Sequence, residues 1–249
     1  MAQTTQEHGQ TTDTEHDRGK RRARDPRGYY RTALAVVAPL PFAAMGGIYL
    51  IQPAPAGAEF EETYAAVLEN PGNQALMTAF GWVFFAFLIP AVLAVGAVTW
   101  RRVPRVTAIA VTWCVPAFAA AFGILGPGAD RLARLGEEVG IPVDSLAALD
   151  TALWEEPISL VAGLMFIMGI VIGVGMLGVA LWRSRLAPAW MGIALALAGA
   201  THPFLPNNLT QGIGLLVGAV GFAGASLALL RMTNDEFVAR RGAQTTEEG

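Results

Sequence analysis

The sequence predicts an all-α protein: a polytopic transmembrane helix bundle of about six spans in three hairpins, with short amphipathic helices in its outer loops. Three observations carry that prediction. The 17 basic and 20 acidic side chains of the 249 residues all fall outside six apolar stretches, at 32–51, 75–100, 106–125, 158–182, 187–205 and 212–230. Each stretch approaches the ~20 residues that a helix needs to cross ~30 Å of hydrocarbon. Basic and acidic residues are segregated along the chain, and Trp82, Trp100, Trp113, Trp154, Trp182 and Trp190 stand near proposed span ends, where amphipathic rings meet the headgroups.

Composition agrees. Hydrophobic residues make up 53% and charged residues 15%, with a mean hydropathy of +0.45, which is unusual for a soluble domain of this size. The stretches are apolar all round, as helices surrounded by lipid or by other helices are, whereas a soluble surface helix is apolar along one stripe. Cys114 is the only cysteine, which excludes an intrachain disulfide and a Cys-rich metal site. A single lysine, Lys20, against sixteen arginines points with the Ala and Gly content to an Arg-biased bacterial genome, hence a bacterial plasma membrane.

Residues 1–28 are polar and basic and lack apolar periodicity, so they read as a disordered cytoplasmic tail; 29–232 form the membrane domain and 233–249 a second tail. Fifteen basic residues lie in the tails and in the links after the second and fourth stretches, among them Arg101, Arg102, Arg105, Arg183 and Arg185. Only Arg131 and Arg134 fall on the other side, which instead holds eleven acids between 59 and 156. Basic residues beside spans resist translocation, so both termini are expected in the cytoplasm. The first stretch has a competing reading as a signal peptide cleaved after Ala58, but its apolar run and preceding tail are both long for one, so retention is expected.

The outer loops carry helical patterns. Phe60, Tyr64, Val67 and Leu68 share one face, as do Leu132, Leu135 and Val139; after Gly140-Ile141-Pro142, Asp144 is placed to cap a helix striped with Leu146, Leu149 and Leu153. Such helices either cover the bundle end along the membrane boundary or form a lid over an outward cavity. The links Trp100-Arg101-Arg102-Val103-Pro104 and Trp182-Arg183-Ser184-Arg185-Leu186-Ala187-Pro188 look alike, consistent either with duplicated hairpins or with convergent turn chemistry. The segment from Leu181 to Trp190 and the Gly-rich last stretch resemble uncharacterised six- or seven-helix bacterial membrane proteins over roughly the last ninety residues. That resemblance implies a fold and no chemistry.

Three groups of residues are candidates for function. Gly214, Gly218, Gly221 and Ala225 form one small-residue face, and Gly169 and Gly173 another; such faces let helices approach closely, within the chain or in a homodimer. Pro39, Pro41, Pro90 and Pro116 interrupt the first three stretches, freeing backbone carbonyls as in the broken helices that line transporter sites. Glu155, Glu156 and His202 lie at one depth on the outer side, where they serve either as an acid–base or cation site or as unconnected, hydrated boundary residues. No Asp, Glu, Lys or Arg lies within a stretch, which disfavours ion-coupled transport. Neither a phosphate-cradling loop nor a dense His/Cys/Asp/Glu set is written, so no cofactor, metal or nucleic acid is expected.

The expectation is therefore a non-enzymatic membrane protein, an accessory, scaffold or resistance-type component bound to lipid and to another membrane protein or a second copy. The alternatives are a permease for an apolar solute through the Pro-interrupted spans and a membrane enzyme with an outer-face site. The charge asymmetry makes a testable topology: in intact cells a membrane-impermeant thiol reagent should label Ser145→Cys, while Ser184→Cys should react only after permeabilisation. Labelling of position 184 from outside would invert the orientation.

Overall fold

The computed structural model describes residues 26–121 and 128–238, and every regular element among them is helical. The tail at 1–25, the end of the third stretch at 122–125 and residues 239–249 lie outside the described residues. The chain forms α1 (Pro26–Val37), α2 (Leu40–Ile51), α3 (Phe60–Glu69), α4 (Pro71–Thr99), α5 (Pro104–Ala121), α6 (Ala129–Val139), α7 (Val143–Glu155) and α8 (Pro157–Met168). A π-helical segment, Gly169–Val174, joins α8 to α9 (Gly175–Ser184); α10 (Ala189–Thr201), a 3-10 turn (His202–Phe204), α11 (Asn208–Arg231) and α12 (Asn234–Val238) follow. Prolines open α1, α4, α5 and α8, where the missing N–H has no intrahelical partner to lose.

Among the described residues, four helical runs are long and apolar enough to cross a membrane: Pro26–Ile51, Pro71–Thr99, Pro157–Ser184 and Asn208–Arg231, of 26, 29, 28 and 24 residues. The protein is thus membrane-embedded. The third and fifth stretches make shorter helices. α5 is described over 18 residues, and α10 over 13, roughly 20 Å at 1.5 Å per residue. α10 ends at Thr201 and the chain tightens into the 3-10 turn that holds Pro203, whose ring removes a backbone N–H from the helical ladder.

The registers of the contacts are antiparallel. Phe42 of α2 lies against Gly218 and Phe222 of α11, and Gly46 and Leu50 against Gly212. Gly218 and Gly221 in turn meet Ala198 and Leu195 of α10, and Gly192 and Gly199 of α10 meet Trp182 and Gly175 of α9. On the other side Asn73 of α4 reaches Ile51, Gly96 faces Val111 of α5, and Cys114 faces Gly169 and Gly173. The helices α2, α4, α5, α9, α10 and α11 therefore close into a ring. Leu88, Val92, Val95, Val174, Leu177 and Phe222 belong to its continuous core and are almost wholly buried.

Many of the residues where helices meet are small, while many large apolar side chains face outward. Ala38, Ala91, Ala94, Ala110 and Ala225 are completely buried, while Ile158, Leu160, Val161, Leu164, Leu197 and Trp82 are exposed. In a soluble protein that surface would be an aggregation liability; in lipid it costs nothing, and small inward residues let backbones close up. The tightest approach is between α9 and α10. A Cβ at Gly178 would overlap the Ala196 backbone nitrogen, one at Gly192 would lie 2.5 Å from the Trp182 nitrogen, and one at Gly199 would lie 2.8 Å from the Gly175 nitrogen. Arg185 turns the chain between them in the left-handed region, φ 56.

Several expectations need correcting. The buried face of α6 is Leu132, Ala133 and Gly136, with Gly136 under Leu146, whereas Leu135, Val139 and Leu149 are exposed. The missing side chain at Gly136 is what rotates α6 onto α7. Asp144 lies in the first turn of α7 and caps nothing; Pro142 precedes the helix, and Gly140 ends α6 in a Schellman motif through Ile141 N–H to Gly136 O. The C-terminal tail is not uniformly irregular: Thr233 and Glu236 form a reciprocal capping box that starts α12. The Thr233 N–H, then its hydroxyl and then Arg101, holds the Glu236 carboxyl below its usual range. Ser184 is buried, its hydroxyl donating to Leu181 O, so the exposed position of Arg183, as Arg183→Cys, is the better reporter for that link.

The packing makes the glycines unequal. Gly178→Leu should disrupt the α9–α10 contact and cost at least the ~1–3 kcal/mol typical of overpacking. Gly218→Leu should behave similarly, since a Cβ there already meets Phe42 at 2.7 Å and Ala198 at 3.0 Å. Gly163→Leu meets nothing within 4 Å and should be tolerated. Thermal unfolding in detergent gives the order; equal loss at all three positions would refute this packing.

Candidate functional site

The polar side chains cluster at the acidic end of the bundle, around the chain that leaves α2. The last carbonyls of a helix lack intrahelical donors, and here amides from neighbouring helices supply them. Asn73 Nδ2 of α4 donates to Ile51 O at 2.9 Å, and Asn208 Nδ2 of α11 donates to Ala54 O at 2.7 Å. Gln211 Nε2 donates to Leu205 O at 3.0 Å, and Asn207 caps α11 by accepting from the Thr210 N–H at 2.9 Å. Gln74, almost fully buried, donates to Asp130 Oδ2 at 2.5 Å and so ties α4 to α6. These amides stitch three helix ends and the acidic cap of α6 into one collar.

Above the collar, Phe60, Leu132 and Leu146 make a second, smaller core that joins α3, α6 and α7. Tyr64 donates its hydroxyl to Glu137 Oε2 at 2.7 Å, and that bond is the main cause of the raised Tyr64 pKa. Arg134 pairs with Glu138 one turn on, at 3.1 Å, on the exposed side. Such an exposed pair contributes little to stability.

His202, Glu155 and Glu156 are not brought together. His202 is 6% exposed, packed edge-on against the Tyr49 ring with centroids 5.4 Å apart. Glu155 and Glu156 are exposed at the bend between α7 and α8, and among the described residues no hydrogen bond or ion pair joins them to His202. The physical reason is that α8 packs on α5 and α7, whereas the 3-10 turn carrying His202 packs on α10 and α11. His202 is consequently buried, not a hydrated boundary residue. Its Nδ1, with Gln74 Oε1 and Asn208 Oδ1, has no hydrogen-bond partner among the described residues.

The prolines differ from expectation. Pro39 lies in the break between α1 and α2 and Pro41 is buried in the first turn of α2, but Pro90 and Pro116 sit inside unbroken helices. Each removes one backbone bond, and the flanking bonds carry the helix through. Pro116 is on the exposed face of α5 and so lines no interior path. The break that the sequence did not announce is the π-helical segment. There Trp113 Nε1 donates to Met168 O at 3.2 Å, and Cys114 Sγ lies 3.8 Å from Gly169 O. Trp113 is thus a helix-to-helix tie in mid-span, not a span-end anchor. Gly169 and Gly173 lie beneath Ala117, Phe118 and Cys114 of α5, so that small-residue pair is filled from within the chain.

Sequence reasoning missed the amide collar and the α10 face of Gly192, Ala196 and Gly199. The latter was legible, since spacings of 4 and 3 place all three on one side of a helix. The chain matches no protein-family model, no curated protein and no solved structure. Fold and site together define an all-helical, membrane-embedded protein.

The geometry separates the three outer residues by consequence. Glu155→Ala and Glu156→Ala should leave the melting temperature unchanged. His202→Ala should lower stability by on the order of 0.5–3 kcal/mol, because it empties a packed position. A double-mutant cycle between Glu156 and His202 should show no coupling; a measurable coupling energy would mean that the two groups meet.

Proposed function

We propose that this chain is a six-span, non-enzymatic membrane scaffold or accessory component of a bacterial plasma membrane, with both termini in the cytoplasm. The observation that carries the reading is the filled bundle axis. Leu88, Val92, Val95, Leu177 and Phe222 occupy the space where a conduit would run, and the inter-helix contacts are closed by glycine and alanine. A protein organised this way offers its environment a rigid apolar exterior, suited to holding lipid or another membrane protein.

The alternating direction of neighbouring helices supports six crossings, with α5 and the shorter α10 completing the set. Orientation is supported by the ends of the bundle: Arg101, Arg102, Arg183 and Arg231 terminate helices at one end, where Asn234 approaches Gly28. The acidic cap of α3, α6 and α7 closes the other.

The test is co-purification. Extracted in mild detergent, the tagged full chain should retain another membrane protein in fixed stoichiometry. In liposomes it should leave the flux of small apolar solutes at the background rate. Purification without a protein partner, together with solute flux above background, would overturn the scaffold reading in favour of a permease.

A further inference from the structure

Where α4 and α5 meet near the arginine-bearing link, the bundle surface carries a shallow groove of about 290 Å³ lined by Leu93, Gly96, Ala97, Trp100 and Val111. Its lining is mostly apolar, and four of its five residues recur at spacings of 3, 1 and 3 along one face of α4 and its C-cap Trp100. The groove exists because Gly96 has no side chain: a Cβ there would lie 3.0 Å from Val111. Behind it the two helices are fixed by a buried bond between the Thr99 and Thr107 hydroxyls at 2.9 Å, so the walls are preformed. The span from Leu93 to Trp100 is roughly 10 Å of helix at 1.5 Å per residue.

We propose that this groove binds one anionic phospholipid, with an acyl chain against Leu93, Ala97 and Val111 and the headgroup phosphate at Arg101 and Arg102. Charge complementarity selects the occupant. Trp100 is the last α4-side residue of the lining, and the next two residues in the chain are exposed arginines, which puts cationic donors beside the apolar slot in sequence. Guanidinium groups bind phosphate through paired, charge-assisted hydrogen bonds, and a basic pocket at a membrane helix end is suited to an anionic headgroup. The Trp100 ring, partly exposed, lies at the junction of the two regions. Glu236 shares Arg101, since Arg101 contributes to lowering its carboxyl pKa. Arg102 is therefore the more available of the two. The inference goes beyond the scaffold reading and does not depend on it, because lipid binding is measured without any protein partner.

The experiment uses the full chain, purified and delipidated in a zwitterionic detergent. It is titrated with phosphatidylglycerol or with phosphatidylcholine of the same chain length, and bound lipid is read by native mass spectrometry beside thermal unfolding. Phosphatidylglycerol should bind between about fivefold and thirtyfold more tightly, the range set by one or two arginines near a headgroup. Arg101→Gln with Arg102→Gln, both exposed, should remove that preference while leaving phosphatidylcholine binding in place. Ala97→Phe, which fills the slot, should weaken both lipids. Leu93→Ala, which removes acyl-chain contacts without adding bulk, should do so more mildly and stands in if Ala97→Phe fails to fold. Equal affinity for the two lipids, a preference that survives the double arginine substitution, or binding unchanged by a folded groove variant would each overturn the proposal.

Discussion

Close approach of helix backbones is the interaction on which the rest of this structure depends. Lipid tails are as apolar as leucine, so burying a side chain between helices gains little from the hydrophobic effect. Association then rests on dispersion contacts and a few hydrogen bonds. Gly178, Gly192 and Gly199 between α9 and α10, and Gly218 and Gly221 between α11 and its neighbours, supply contacts that any larger residue would block. Once α9, α10 and α11 are locked in this way, Phe42 and Phe222 can fill the remaining space across the α2–α11 contact. The filled axis follows from the glycines.

Polar chemistry is confined to places where this packing fails. Helix ends leave carbonyls exposed, and Asn73 and Asn208 satisfy those beyond α2. Where α8 passes into the π-helical segment, Trp113 and Cys114 approach the Met168 and Gly169 carbonyls from α5. π-helical turns recur at functional sites in other proteins, and this one lies mid-span against a partly exposed tryptophan. At the arginine-bearing end, the Thr99–Thr107 pair plays a comparable part, closing the α4–α5 link around a hydrogen bond that neither helix makes alone. In each case the polar group joins two elements, so these few bonds set register where apolar contacts would let helices slide.

How much could be read beforehand depends on the distance over which each feature acts. The apolar stretches, the Schellman stop at Gly140 and the Thr233–Glu236 capping box are local and stand in the sequence, although the capping box was overlooked within a polar tail. The amide collar was not legible, because Asn208 reaches a carbonyl 154 residues away and nothing near Ala54 marks it as an acceptor. Whether Glu155 and Glu156 meet His202 or stay apart was left open by the sequence for the same reason. Equal depth along a span says nothing about which side of the ring a helix occupies, and His202 turned inward onto Tyr49 while the glutamates faced out.

The sequence by itself determined that the chain is helical and carries apolar segments fit for a membrane, since long uncharged runs without strand alternation satisfy their backbone in lipid as helices. Tertiary structure alone decided which face of each helix points inward. A helix that is apolar all round carries almost no directional signal, because lipid and protein interior accept the same side chains. Direction comes instead from shape, from where a glycine on one helix meets a backbone on the next, and that match exists only once both helices are in place.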